Sequence, residues 1–371
     1  MPQINVRLKY HSYPIVIGSG LGNRLVRLLK EHAGANRCFV FFDSNVFALY
    51  GKQIVKLFSE KRIKYITFVI PGGEASKSQE TLDKIYDFLL SEKISRTDFV
   101  LAVGGGVITD LAGYAAASIL RGVKWGAVST TLLGMIDAAI GGKTGINHPR
   151  GKNLVGAFWQ PSFVICDLKY LNTLPNREFN AGLGEVLKYA GLIGAKMSSP
   201  FKRYCESGNL LDLKKLQRLI QLSAEYKAKI VMADERESNL RMFLNLGHTF
   251  AHAIEKTLGY GKLLHGETVI IGLLAAVILS RKVNPKSSAK LNGYENLVKE
   301  FLGLIRYYQM STESVLNNMK LDKKRTGRTQ KFVLLSSPGK PFIASSLKER
   351  NVKEALEEAL SIYKEIGGIY G

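Results

Sequence analysis

Three of the six histidines of this 371-residue chain fall within one short window, NLGHTFAHAIEKTLGYGKLLHGE: His248, His252 and His265. His248 and His252 lie four apart, so on a helix they share one face. Neutral imidazoles gathered in this way are what zinc takes as ligands. A lone histidine on an apolar helix is more often a core residue bonded through its ring. Three in this arrangement, with acidic and basic residues at helical spacing around them, point to a metal site.

The segment GLGEVLKYAGLIG places Glu185 and Lys188 one turn apart among small and apolar residues. A buried carboxylate must be paired or metal-bound, so Glu185 is the natural third ligand; the plainer alternative is an intrahelical ion pair. Spacing alone leaves open which two histidines hold the metal. Arg241, Asn245, His248 and His252 follow at intervals of four, three and four. On one continuous helix they form a polar stripe, with metal at one end and an anionic ligand held by Arg241 and Asn245 at the other, unless Gly247 interrupts it. Lys227, in AEYKAKIVMADERE, projects from the preceding helix.

A second constellation lies upstream. VLAVGGGVITDLAG reads as strand, glycine loop and helix, a form that brings backbone and a helix N-terminus close to a phosphate. Its spacing is GGGxxxD, not GxGxxG, so the loop indicates a nucleotide or another phosphate, with a tight packing turn as the alternative. Asp43, closing an earlier strand, is placed to bond a ribose hydroxyl or to cap a helix. Pro71-Gly72-Gly73-Glu74 and Lys77 add polar contacts. Asp137, Lys143, Lys152 and Asn153 then sit in a glycine-rich, partly apolar stretch, where lysines bind phosphate or carboxylate or are simply solvated.

Positioning these groups requires two kinds of element. Tyr13 to Ile17, Cys38 to Phe42, Tyr65 to Ile70 and Phe99 to Val103 read as strands, alternating with helical Asn23 to Glu31 and Ser78 to Glu92. This predicts a Rossmann-like α/β domain over residues 1–175 with a parallel sheet. Beyond it, Ala181 to Ile193, Leu210 to Val231, Phe243 to Leu258, Val269 to Ser280, Ala289 to Leu304 and Val352 to Ile366 have helical spacing, and only Lys331 to Ser336 reads as strand. Residues 176–371 are therefore expected to form a mostly α-helical domain, with the active site in the cleft between the two.

The formal net charge of +21 suits an anionic small substrate drawn in by steering. The densest basic run, Lys320 to Lys331, lacks interleaved aromatics and a nucleic-acid module, which argues against a nucleic-acid role. Cys38, Cys166 and Cys205 form neither a disulfide framework nor a CxxC site, as in a reducing cytoplasm. The first residues lack the apolar core of a signal peptide, and the run Val269 to Leu279 is too short to span a bilayer. A soluble, cytoplasmic protein without membrane contact is expected.

Together the motifs resemble the 3-dehydroquinate synthase family of sugar-phosphate cyclases. The resemblance runs from about Asp43 to Lys324 and rests on PGGEASKS, GGGVITDLAG, RGV, STTLLGMIDAAIGGKTGINHPRGKNLVGAFWQP, LNTLP, GLGEVLKYAG, DERE, LNLGHTFAHAIE and LLHGE, in that order. It implies zinc or cobalt on Glu185, His248 and His265, with His252 turned to substrate. It implies NAD against Asp43, Asn45, Glu74, Lys77, Gly105, Gly106, Val107, Asp110, Thr130, Thr131, Asp137, Lys143, Lys152, Tyr170 and Thr173. Asp137, Lys143, Lys152, Asn153, Lys188, Lys227, Arg241, Asn245 and His252 match positions around the sugar, and one of Lys323 and Lys324 matches a further substrate lysine. Arg121 matches an arginine that reaches the substrate phosphate from the partner subunit of a homodimer.

The implied substrate is 3-deoxy-D-arabino-heptulosonate 7-phosphate. The implied reaction is oxidation of a ring hydroxyl by NAD, phosphate elimination, reduction, ring opening and aldol closure to 3-dehydroquinate. Transient oxidation acidifies a neighbouring C–H, which explains a redox cofactor in a net non-redox reaction. Asp137, Lys143, Lys188, Lys227 and His252 are the catalytic candidates. The rivals are a cyclase for a sugar phosphate without a carboxylate, a zinc polyol dehydrogenase, and a basic nucleic-acid-binding protein with a structural zinc.

Overall fold

The computed structural model describes residues 2–33, 36–209, 212–326 and 330–368. The chain forms two compact units, one of Met1–Leu174 with Ser223–Arg236, the other of Pro175–Leu222 with Glu237–Gly371.

The first unit holds strands β1 (Gln3–Arg7), β2 (Ser12–Gly18), β3 (Cys38–Asp43), β4 (Tyr65–Ile70), β5 (Phe99–Gly104), β6 (Lys124–Ser129), β7 (Lys143–His148), β8 (Gly151–Phe158) and β9 (Val164–Asp167). Its helices are α1 (Gly22–Ala33), α2 (Ser44–Val46), α3 (Lys52–Glu60), α4 (Gln79–Ser91) and α5 (Gly106–Ser118). Seven strands make one sheet in the order β1-β2-β9-β6-β5-β3-β4. Only the β1–β2 pairing in it is antiparallel.

The central strands are buried because both faces are covered: Cys38 to Phe42 and Phe99 to Val103 are all fully inaccessible. Such unbroken apolar runs are what a parallel sheet between helical layers demands. The chain passes from β3 to β4 on one side, then returns to β5 on the other, so the order reverses between β3 and β5. Ligands of open α/β sheets bind at the carboxyl ends of the strands flanking such a reversal. Here those ends are Asp43 and the glycine triplet Gly104 to Gly106. β7 and β8 form a separate antiparallel hairpin.

The second unit is built on α6 (Asn176–Ile193), α7 (Ala195–Glu206), the start of α8 (Leu213–Ala233), α9 (His248–Leu258), α10 (His265–Val283), α11 (Ser288–Leu302), α12 (Thr312–Thr326) and α13 (Glu349–Ile366). A hairpin of β10 (Lys331–Ser337) and β11 (Lys340–Ser345) completes it. α10 is its axis: Gly266 to Ser280 are all buried, and α6, α9, α11 and α13 pack around it. No described helix is long and apolar enough to cross a membrane.

The expected helix Phe243 to Leu258 is two pieces. A 3-10 turn covers Leu240–Asn245, and α9 begins at His248 after Gly247, whose φ is 80°. Glycine takes that left-handed backbone without cost, and the continuous polar stripe ends there. The expected helix from Leu210 starts on residues outside the described ones.

Candidate functional site

In the second unit α6 brings Glu185, α9 its first residue His248, and α10 its first residue His265. Glu185 is completely buried and His248 is buried, while the His265 side chain is 29% exposed. Glu185 Oε1 lies 3.4 Å from His248 Nε2 and 3.4 Å from His265 Nε2. That is long for a hydrogen bond, and this oxygen makes none among the described residues. A tetrahedral ion with bonds of about 2.1 Å sets neighbouring donor atoms about 3.4 Å apart. The three residues therefore fit a divalent metal by the chemistry and the spacing of their donors.

The far side of each ring is also held. His248 Nδ1 faces the Leu246 carbonyl at 3.1 Å, and His265 Nδ1 faces Glu255 Oε1 at 3.5 Å. Partners of this kind orient metal-binding imidazoles and fix which nitrogen is free. Lys188 Nζ sits 2.5 Å from Glu185 Oε2, so the ion pair and the metal geometry use different oxygens. Burial alone would raise the Glu185 carboxyl, but Lys188 and the two histidines hold it well below the usual carboxylate range. Desolvation opposes charge on His265, yet Glu185 and Glu255 outweigh it and push the ring up to about 10. A metal entering here displaces that proton, so its binding strengthens as pH rises.

His252 is exposed, its ring centroid 5.5 Å from His248 and 5.9 Å from His265. It groups with Glu255 and His265, not with Glu185. Arg241 is buried on the 3-10 turn, and Asn245 of the same turn donates to Glu237 Oε1 at 3.3 Å. Lys323 and Lys324 fall late in α12, and their side chains lie outside the described residues.

In the first unit the glycine triplet runs from β5 into α5. A Cβ on Gly105 would stand 2.8 Å from the Thr131 methyl, so the loop needs glycine for space. Gly106 and Val107 open the helix, half-buried. Thr130 is 4% exposed and its hydroxyl has no partner among the described residues. A buried hydroxyl left over beside a glycine cradle fits a bound nucleotide. Asp43 accepts from Asn45 N (2.8 Å) and Val46 N (3.3 Å), so it caps α2 as well as standing at the strand reversal. Tyr170 packs edge-on against Tyr50, whose hydroxyl meets Thr173 Oγ1 at 2.8 Å.

Lys77 is buried and donates 2.5 Å bonds to Asp110 Oδ2 and Asn153 Oδ1. Asp110 holds the ammonium charged despite its burial, raising Lys77 above its ordinary value. Asn153, at φ 55°, donates its N–H to Asn147 Oδ1, and Asn147 Nδ2 donates to Glu74 Oε1 at 2.6 Å. The β7–β8 hairpin is thereby tied to the Glu74–Lys77 turn. Lys143 and Asn153 are exposed on that hairpin, with Lys152 half-buried. Lys227 on α8 belongs to this unit and donates to the Asp137 carbonyl (2.5 Å) and Oδ1 (2.6 Å). Arg121 is exposed, and it and Leu120 both have positive φ.

Asn147 and Glu255 were not singled out from the sequence. Asn147 lies within GGKTGINHPRGKN, but its partner Glu74 is distant in the chain. Glu255 sits three residues after His252, a spacing that would have put it on the histidine face.

The family description 3-dehydroquinate synthase N-terminal matches residues 67–181, and 3-dehydroquinate synthase C-terminal matches 182–325. The chain is 40% identical to the 3-dehydroquinate synthase of Azotobacter vinelandii over 362 residues, covering 96% of this chain and 97% of that one. It is 41% identical to that of Pseudomonas fluorescens over 365 residues, 97% of each. Its fold is similar to the 2-epi-5-epi-valiolone synthase of Streptomyces hygroscopicus subsp. jinggangensis, solved with NAD+ and Zn2+ bound. That pair has a TM-score of 0.86 and 26% identity, over 96% of this chain and 98% of the other.

Proposed function

This chain belongs to the 3-dehydroquinate synthase family, and from that premise we propose that Glu185, His248 and His265 hold its zinc or cobalt and that the β3 and β5 ends hold its NAD. Its activity is the family's, conversion of 3-deoxy-D-arabino-heptulosonate 7-phosphate to 3-dehydroquinate and phosphate. When bound, NAD supplies a reversible hydride acceptor and the metal a Lewis acid that acidifies the hydroxyl to be oxidised. The observation that carries the reading is Glu185 Oε1, buried without a hydrogen bond among the described residues and 3.4 Å from each of two ring nitrogens.

The chain's own residues then divide the work. Lys188 keeps Glu185 ionised, and His252 presents an exposed imidazole to the substrate. Lys227, held by Asp137, offers an ammonium to a developing negative charge. Asp43, Asn45, Glu74, Lys77, Asp110, Thr130 and Thr131 orient the nucleotide. Lys143, Lys152, Asn153 and Arg121 serve the phosphate end, and Arg241 with Asn245 serves the carboxylate. The test is direct: metal-loaded protein, the heptulosonate phosphate and catalytic NAD, with phosphate release as the readout. No phosphate release would sink the reading, and net NADH accumulation would point to a dehydrogenase.

Replacing Arg241 by Ala should lower kcat/KM by about 100- to 1000-fold, because a planar two-bond grip on a carboxylate is lost. Arg241→Lys should recover only part of it, since the charge returns without the fork. Near-normal kinetics for Arg241→Ala would remove its assignment to the carboxylate.

We also propose a homodimer in which Arg121 serves the site of the partner subunit. Arg121→Ala and Glu185→Gln should each be inactive alone. Refolded together, they should recover about a quarter of wild-type activity, since half the dimers are mixed and each of those has one intact site. A mixture no more active than its parts would show that Arg121 does not act across subunits. The three free cysteines support a reducing compartment, and we place the enzyme in the cytoplasm.

A further inference from the structure

We propose that three glycines, Gly184, Gly247 and Gly266, act as positioning residues that set the spacing of the metal ligands; this rests on the metal reading above. Each is the immediate neighbour of a ligand: Gly184 precedes Glu185, Gly247 precedes His248, and Gly266 follows His265. Each also lies against the backbone of a different helix from its own segment. A Cβ on Gly184 would run into the Gly266 carbonyl, and one on Gly266 into the Ala181 carbonyl, so α6 and α10 touch main chain to main chain beside Glu185 and His265. A Cβ on Gly247 would stand 2.9 Å from Leu273 N and 3.1 Å from Gly272 C. Gly272 in turn faces the Gly247 carbonyl, so α9 meets α10 in the same way beside His248.

Backbone cannot turn aside as a side chain can. A methyl at any of these positions must separate two helices, by roughly an ångström in a close-packed interior. Metal sites hold their ligands within about 0.2 Å of the ideal bond lengths. The contacts are therefore matched to the tolerance of the ligands they carry. Gly191 on α6 provides the contrast: its Cβ would meet a side chain, the Tyr294 hydroxyl at 2.6 Å, and it adjoins no ligand in the chain, while Gly293 on α11 has nothing within 4 Å among the described residues.

The experiment uses the full chain stripped of metal and titrated with Co2+, read by chelator competition and by the visible absorption of the bound ion. Gly184→Ala, Gly247→Ala and Gly266→Ala are compared with wild type, Gly191→Ala and Gly293→Ala. Each of the first three should weaken Co2+ by about 10- to 100-fold and alter its spectrum. Their metal-free melting should fall as well, in Gly247→Ala partly through its left-handed φ, yet each should stay folded, with NAD affinity within a factor of about two of wild type. Folded variants that bind Co2+ like wild type overturn the inference. So does a loss of affinity that merely follows melting temperature, in Gly191→Ala as in the others. Failure of all three to fold while Gly191→Ala folds also overturns it, because the glycines would then serve folding alone. Wild type and Glu185→Gln binding Co2+ equally would instead overturn the metal reading itself.

Discussion

Glu185→Gln should leave the protein without retained metal and slow turnover by about a thousandfold or more. The magnitude follows from losing a Lewis acid worth about 4 kcal/mol at the transition state, with tenfold in rate for every 1.36 kcal/mol. The substitution keeps the side chain's shape, so steric loss is not the cause. It removes the charge that partners Lys188, which is only 1% exposed. Stranding that ammonium should cost about 3–5 kcal/mol of stability. Metal content after dialysis, turnover and urea midpoint check the three parts separately. Stoichiometric metal with turnover within about tenfold of wild type would exclude Glu185 as a ligand.

Lys77→Met should weaken NAD by about 100-fold and destabilise the first unit by about 3 kcal/mol, since Asp110 loses its partner in a buried setting. Burial already raises the Asp110 carboxyl, with Lys77 working against it. Without the lysine, Asp110 is driven further toward its protonated form. Adding Asp110→Asn should then restore most of the stability but little of the NAD affinity. Recovery of both together would mean that Lys77 acts on NAD only through folding. The sign of the pH effect is set by the raised Lys77 value. Its contribution is intact at neutral pH and is lost as pH rises through the alkaline range, so wild type and variant should converge there.

Cys38 to Phe42, Phe99 to Val103 and Val269 to Leu279 were legible because they are buried on every side, where unbroken apolar runs are favoured. β1, β6 and β9 were not anticipated: they are short or carry polar, glycine and tryptophan residues, and only pairing with neighbours makes them strands. The site was legible as a list of residue types and much less as an arrangement. The polar stripe from Arg241 to His252 failed at Gly247, whose left-handed turn starts a new helix and points His248 toward Glu185. Helix α10 was expected from Val269, yet it begins at His265, because its polar first turn is buried only where α6 and α9 converge on it. The tie of Asn147 to Glu74 could not be read at all, since no local pattern reports a partner in another part of the chain.

The placement of Ser223–Arg236 has consequences for how the polypeptide is made and how it can be divided. A fragment ending near residue 175 would carry every strand of the large sheet yet lack the amine that neutralises Asp137. During synthesis the sheet must wait for some sixty further residues before that partner leaves the ribosome, a delay of several seconds at about 5–20 residues per second. A single cut cannot release two self-sufficient pieces. Split versions would have to be rejoined in trans, with the strip around Lys227 supplied by the other half.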